Sequence, residues 1–458
     1  MTFRLAAAAA TLMLAFAGCV TLPATQLDPQ STLLPIQLPS LDPATFLFND
    51  PENAPHPLFG WPTLIAPAQG PNVPSFWQPI QGVPLPDAIA GVAHVVQADG
   101  VASGGGISLF GSLAIVPGYS KESYIVDISD PTAPKILSTF EPVQGAHRGS
   151  AVIAYPDGKL VAVFSTGAGF EAWDITDPTN PVPASQVEPT QGGHKLGVVP
   201  GTPYVYNAAS NGGGLFADQA RAVTEIYDLT DPYNPRHVQD FVNGFGCHHI
   251  YFWNSAEKQR AICAGIEFAQ IWDTADPENP VVIVNVPIPH GIAGTPSASV
   301  VPVVTPFAHF SILNADGTVL IVGDELGGGG LPPGCTAGVQ TPLVDASAPT
   351  GALWFYDVST ETNPRLMSWW SPGHHLDPTN AFASCTAHHG RLVPAEDRDL
   401  LAMSFYGAGV VLLDFTNPMM PKMVDQFKQQ SNTWETWYYN GYLFTGDLNR
   451  GMDVLTFE

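Results

Sequence analysis

The sequence predicts an all-β protein, a seven-bladed β-propeller whose ring is closed by a strand from its N-terminal side. Three observations predict it: a turn-forming spacer recurs, each copy follows a short apolar run, and the copies are separated by about the length of one four-stranded blade. The spacer reads DISDPTAP from Asp127, DITDPTNP from Asp174, DLTDPYNP from Asp228 and DTADPENP from Asp273. It loosens to DVSTETNP from Asp357 and DFTNPMMP from Asp414, and a final strand, GMDVLTFE, carries Asp453 as the seventh copy. The aspartates lie 47, 54, 45, 84, 57 and 39 residues apart, so the fifth repeat holds an insertion rather than a new domain.

Each part of the spacer has a physical task. Asp accepts hydrogen bonds from backbone N–H groups two residues on, and Pro fixes a turn dihedral while removing a ladder donor, so the motif ends one strand and aims the next. The runs before it (YIVD, FEAWD, EIYD, QIWD, LWFYD and VVLLD) are aromatic or β-branched, as a half-buried strand requires.

In chain order, residues 1–19 read as a signal peptide: one basic residue, an apolar run and small residues ahead of Cys19. The run FAGC has the form of a lipoprotein box, making Cys19 the lipidated mature N-terminus and the only membrane attachment; plain signal cleavage nearby is the alternative. Residues 20–88 are Pro-rich and free of repeats, an extended tether in which Trp61 and Trp77 pack against the propeller. Residues 89–458 form the propeller. In its second blade HRGSAVIAY is the first strand, KLVAVFST the second and FEAWDI the third, with PDG and GAG turns between them. The seventh blade lacks a fourth strand, which the segment ahead of His94 must supply to remove an exposed edge.

Composition narrows the partners. Net charge is −25, from 16 Lys and Arg against 41 Asp and Glu, which repels phosphate backbones and anionic lipid and excludes nucleic acid. With 44 glycines, 45 prolines and 12% charged residues, turns and tight strands dominate over surface helices. Five cysteines leave four to pair in an oxidising compartment once Cys19 is lipidated, and the expected disulfides are Cys247–Cys263 and Cys335–Cys385. A competing assignment makes Cys247, next to His248, a soft metal ligand.

Eight of the 13 histidines fall near the start of a first strand: His94, His147, His194, His248 with His249, His309, and His388 with His389, in blades one to six. Blade seven has Trp434 and Trp437 there. The first strand of a blade lines the central channel, so these side chains converge on one axis. The Gly-rich loops between second and third strands lie on the same face and carry Glu267, Asp324, Glu325, Tyr406, Asp447 and Arg450. Imidazoles with carboxylates suit Zn, Cu or Fe, whereas an all-oxygen calcium site needs no imidazole. A single such histidine also serves as a strut between blades, so the inference rests on the set. The expected metal ligands are His147, His194, His248, His309 and His388. Asp324 or Glu325 would act as base or orient a ligand, and Arg450 would hold an anionic group beside Asp447.

At GCHHIYF, FAHFSILNADGTVLIVGDELGGG, CTAHHGRLVP and WETWYYNGYLFTGDLNRGMDV the chain resembles the exported bacterial proteins with LVIVD-type repeats. The resemblance implies the propeller and favours His248 and His388, the first member of each pair; it implies no reaction. The functional expectation is therefore an exported, lipid-anchored monomer binding a metal, a small molecule or a protein at its histidine face. The alternative is a metal-dependent oxidoreductase or hydrolase.

Overall fold

A computed structural model describes residues 75–119, 122–189, 192–209, 223–244, 246–255, 257–265, 268–288, 308–325, 351–372, 385–428 and 432–458. Among these residues 28 strands form seven four-stranded antiparallel sheets arranged as a ring, a seven-bladed β-propeller. Strands within each blade are lettered A to D from the axis outward. The A strands are Ser108–Phe110, Gly149–Ala154, Lys195–Val198, His249–Asn254, Ala308–Leu313, Gly390–Val393 and Thr433–Tyr439 for blades one to seven. Among the described residues no helix is long and apolar enough to cross a membrane.

The recurring spacer does what its chemistry predicts in six blades. Asp127, Asp174, Asp228, Asp273, Asp357 and Asp414 each end strand C. Each accepts the N–H two residues on, at 2.8 to 3.0 Å. Asp130, Asp177, Asp231 and Asp276 repeat the contact at 3.0 Å, so each tight turn has two such braces before strand D begins. Asp453 differs from these six. It lies inside strand C of blade seven, Gly451–Phe457, and pairs with His94 at 2.8 Å and Arg450 at 2.7 Å.

The ring is closed as expected, but by a strand that includes His94. Val92–Gln97 is strand D of blade seven and pairs antiparallel with strand C, Val92 opposite Phe457 and Gln97 opposite Asp453. His94 therefore stands on the outermost strand, stacked on Phe427, and not at the head of blade one. The sequence points to an inner strand because QADG after it carries the same turn chemistry as a hairpin between first and second strands.

Strands A, B and C are buried and apolar, and strand D is half exposed, as Val182–Val187 shows beside Leu160–Ser165. Neighbouring blades pack through apolar clusters; one includes Ile321, Phe355, Phe405 and Phe415 from blades five and six. Ahead of the ring Trp77 is buried edge-on to Phe110, ring centroids 5.0 Å apart. Trp61 and Cys19 lie outside the described residues.

Candidate metal centre

The heads of the A strands in blades three to six bring five imidazoles into one contiguous array. Ring centroids step from His194 to His248 in 3.8 Å, on to His309 in 4.5 Å, and from there to His388 in 4.3 Å and His389 in 4.5 Å. Among the described residues two groups have ligand nitrogens mutually within 4.8 Å: His194, His248 and His309, and His309, His388 and His389. His309 belongs to both. His194 is partly exposed while the others are buried, which puts the open side of the array at His194.

Local backbone explains why both members of a histidine pair can take part. Side chains alternate across a strand, so neighbours within it would face opposite ways. His388 and His389 precede Gly390, where the A strand of blade six begins, and alternation does not apply to them. His248 likewise precedes its strand, and His249 opens it. His249 packs against His389 with ring centroids 4.4 Å apart, a contact that joins blades four and six.

Burial keeps these rings neutral. It lowers the pKa of His194, His248, His249, His309, His388 and His389, and that of His248 falls to about 3. Nearby cations and imidazoles add to the effect: Arg148 and Lys195 act on His194 and His248, and His388 acts on His309. A neutral imidazole is the form that binds a metal.

The two groups differ in what surrounds them. Arg148 donates to Nδ1 of His194, occupying a lone pair and placing a positive charge beside the first group. The second group has a carboxylate instead. Glu325 Oε2 lies 3.3 Å from His309 Nε2, and its Oε1 lies 3.7 Å from His388 Nε2. The backbone carbonyl of Trp434 accepts from Nδ1 of His388, which leaves the Nε2 lone pair toward Glu325 available for a metal. His389 meets Tyr251 through Nδ1 at 3.1 Å, and its Nε2 has no hydrogen-bond partner among the described residues. This donor set, three imidazoles and a carboxylate, fits Zn, Cu or Fe.

Glu325 is held by Tyr406, whose hydroxyl donates to Oε1. Burial pushes the Glu325 carboxyl up to about 8, against the lowering effect of that hydrogen bond, with Asp324 adding to the rise. Tyr406 reaches it from the turn after strand B of blade six at φ 47°, a left-handed conformation unfavourable for an aromatic residue. Trp434, near the head of strand A in blade seven, packs its ring 4.1 Å from His388.

The other expected site residues have different surroundings. His147 lies in neither group: Nδ1 meets Ser123 Oγ of blade one at 2.7 Å, Nε2 meets Glu171 of blade two at 3.2 Å, and Phe164 stacks on the ring at 4.1 Å. That is a strut between blades. Asp324 accepts the Gly351 N–H at 2.9 Å. Asp447 accepts N–H groups from Asn432, Asn449 and Arg450, and Arg450 is paired to Asp453, so both are committed to the last turn of the ring. The Cys247–Cys263 disulfide is present, with Cα atoms 5.5 Å apart, so Cys247 is not a ligand. Cys385 is buried; Cys335 and Glu267 lie outside the described residues.

Fold and site together define a β-propeller with a buried histidine array across its axis. No protein-family model matches the chain, and no curated protein matches it.

Proposed function

We propose that the protein binds a transition metal ion through His309, His388 and His389, with Glu325 alongside. The observation that carries this is the convergence of three buried, neutral imidazoles whose nitrogens lie within 4.8 Å, beside a carboxylate and with Nε2 of both His388 and His389 lacking a hydrogen-bond partner among the described residues. The ion, of the Zn, Cu or Fe class, would supply Lewis acidity or electron exchange; the protein supplies the ligands, and Tyr406 fixes the carboxylate. We further propose that the chain is an exported, lipid-anchored monomer of the LVIVD-repeat type. Its N-terminal sequence and the Cys247–Cys263 bond, stable in an oxidising compartment, support that location.

The second reading is a hydrolase or oxidoreductase. Glu325 favours it, because a carboxyl raised to about 8 and bonded to a buried tyrosine is placed to carry a proton beside the ligands.

Metal content and cobalt titration of protein purified without a histidine tag test the binding reading. His309→Ala and His388→Ala are expected to lose the ion, with at least a 100-fold fall in affinity, whereas His147→Ala and His194→Ala keep it. Loss in His194→Ala with retention in His389→Ala would move the ion to the first group. No binding by the wild type would end the proposal.

A further inference from the structure

Below the array the axis holds a second polar cluster to which the metal reading assigns no role. Lys195 of blade three donates to Glu435 Oε2 of blade seven at 3.0 Å, and Arg391 of blade six donates to Oε1 at 2.9 Å. Both carboxylate oxygens are thereby committed to cations. The Arg391 guanidinium carbon also lies over Trp437, 3.6 Å from the ring centroid. Glycines make room for the lysine tip: a Cβ at Gly106 would stand 2.4 Å from Lys195 Nζ, and one at Gly149 would stand 2.9 Å from it.

A cavity of about 30 Å³ opens here, lined by Ser108, Ser150, Lys195, His249, Glu435 and Trp437. Two of its polar side chains, Lys195 and Trp437, can only donate. Lys195 uses one of its three N–H groups, on Glu435, and the indole Nε1 of Trp437 has no acceptor among the described residues. Ammonium and indole N–H groups have no lone pair to offer. The two serine hydroxyls satisfy each other at 2.8 Å, and His249 Nδ1, in a residue 3% exposed, has no partner among the described residues. Buried donors without acceptors are costly, and a buried ammonium more so. The volume holds about two waters or one small ion.

We propose that this axial cavity binds a small monovalent anion, of halide or formate size, on Lys195. The anion accepts from the ammonium and the indole and offsets the second cation on Glu435. The site goes beyond the metal reading and does not depend on it.

The test uses full-length protein stripped of metal by chelation, in sodium gluconate at constant ionic strength, with gluconate exchanged for bromide. Wild type and Lys195→Arg are expected to show a saturable rise in the thermal unfolding midpoint, and Lys195→Met none. Equal responses in wild type and Lys195→Met, or no response in wild type, overturn the proposal and assign the cavity to water. Should Lys195→Met fail to fold, bromide-soaked wild-type crystals decide: an anomalous peak within about 3.5 Å of Lys195 Nζ supports the site, and its absence at saturating bromide sinks it. Because no metal is present, an empty metal centre leaves this outcome untouched.

Discussion

Six imidazoles at one place, five of them buried, tie the stability of the metal-free protein to pH. Their folded pKa values lie below the ordinary value of 6.5, so below that pH the unfolded chain takes up protons that the folded protein refuses. Stability must fall as pH drops through 6.5, by at most about 1.4 kcal/mol per unit for each ring. Glu325 acts in the opposite sense: raised from 4.5 to about 8, it keeps a proton in the fold, and its contribution declines as pH rises through that window. One carboxyl opposes six rings, so the rings dominate below pH 6.5. Denaturant midpoints of metal-free protein are expected to fall steadily from pH 6.5 to 4.5, and a bound divalent ion to flatten that slope near its upper end. A midpoint independent of pH over this range would show that the rings are not held neutral.

At the scale of the element, the loop before strand A of blade four is braced twice. Cys247 is bonded to Cys263 on strand B, 16 residues on. Asn243 accepts from the Gly246 N–H at 3.1 Å and donates to Gln270 at 3.0 Å. Closing a loop of this length removes about 3 kcal/mol of freedom from the unfolded chain. The double variant Cys247→Ser, Cys263→Ser is expected to lose about that much stability in chemical denaturation. A loss below about 1 kcal/mol would assign the loop to the Asn243–Gln270 contacts instead.

Such elements also show what the sequence could and could not reveal. The spacers were legible because their chemistry is local: each aspartate acts on a backbone group two residues away. The register of the A strands was legible for the same reason and placed His194, His248, His309 and His388 together, but it also drew in His147, a strut between blades, and His94, which stands on a D strand. Contacts that depend on closure were not. His94 carries the turn signal of an inner strand, yet its partner Asp453 is 359 residues away. Lys195 and Glu435 are separated by 240 residues, with no motif to join them. The resemblance favours His388 over His389, the first member of the pair over the second, and only the late start of the strand at Gly390 brings both rings in.

For the whole molecule, stability depends on the joint in blade seven. Val92–Gln97 covers the outer edge of Gly451–Phe457, and Ala90 and Gly91 add backbone bonds to Glu458. Replacing residues 92–97 by glycine and serine would expose that edge. The expected outcome is a broadened unfolding transition and a shift from monomer to larger species on size exclusion; a sharp transition with an unchanged monomer would show that six complete blades hold the seventh without its D strand.

That joint also sets an order of events during synthesis. The first propeller strand to leave the ribosome pairs with the last, so Val92–Gln97 must wait while more than 350 residues emerge before Gly451–Phe457 meets it. Blades one to six can gather as their own segments appear, but the circle locks only once Gly451–Phe457 has emerged.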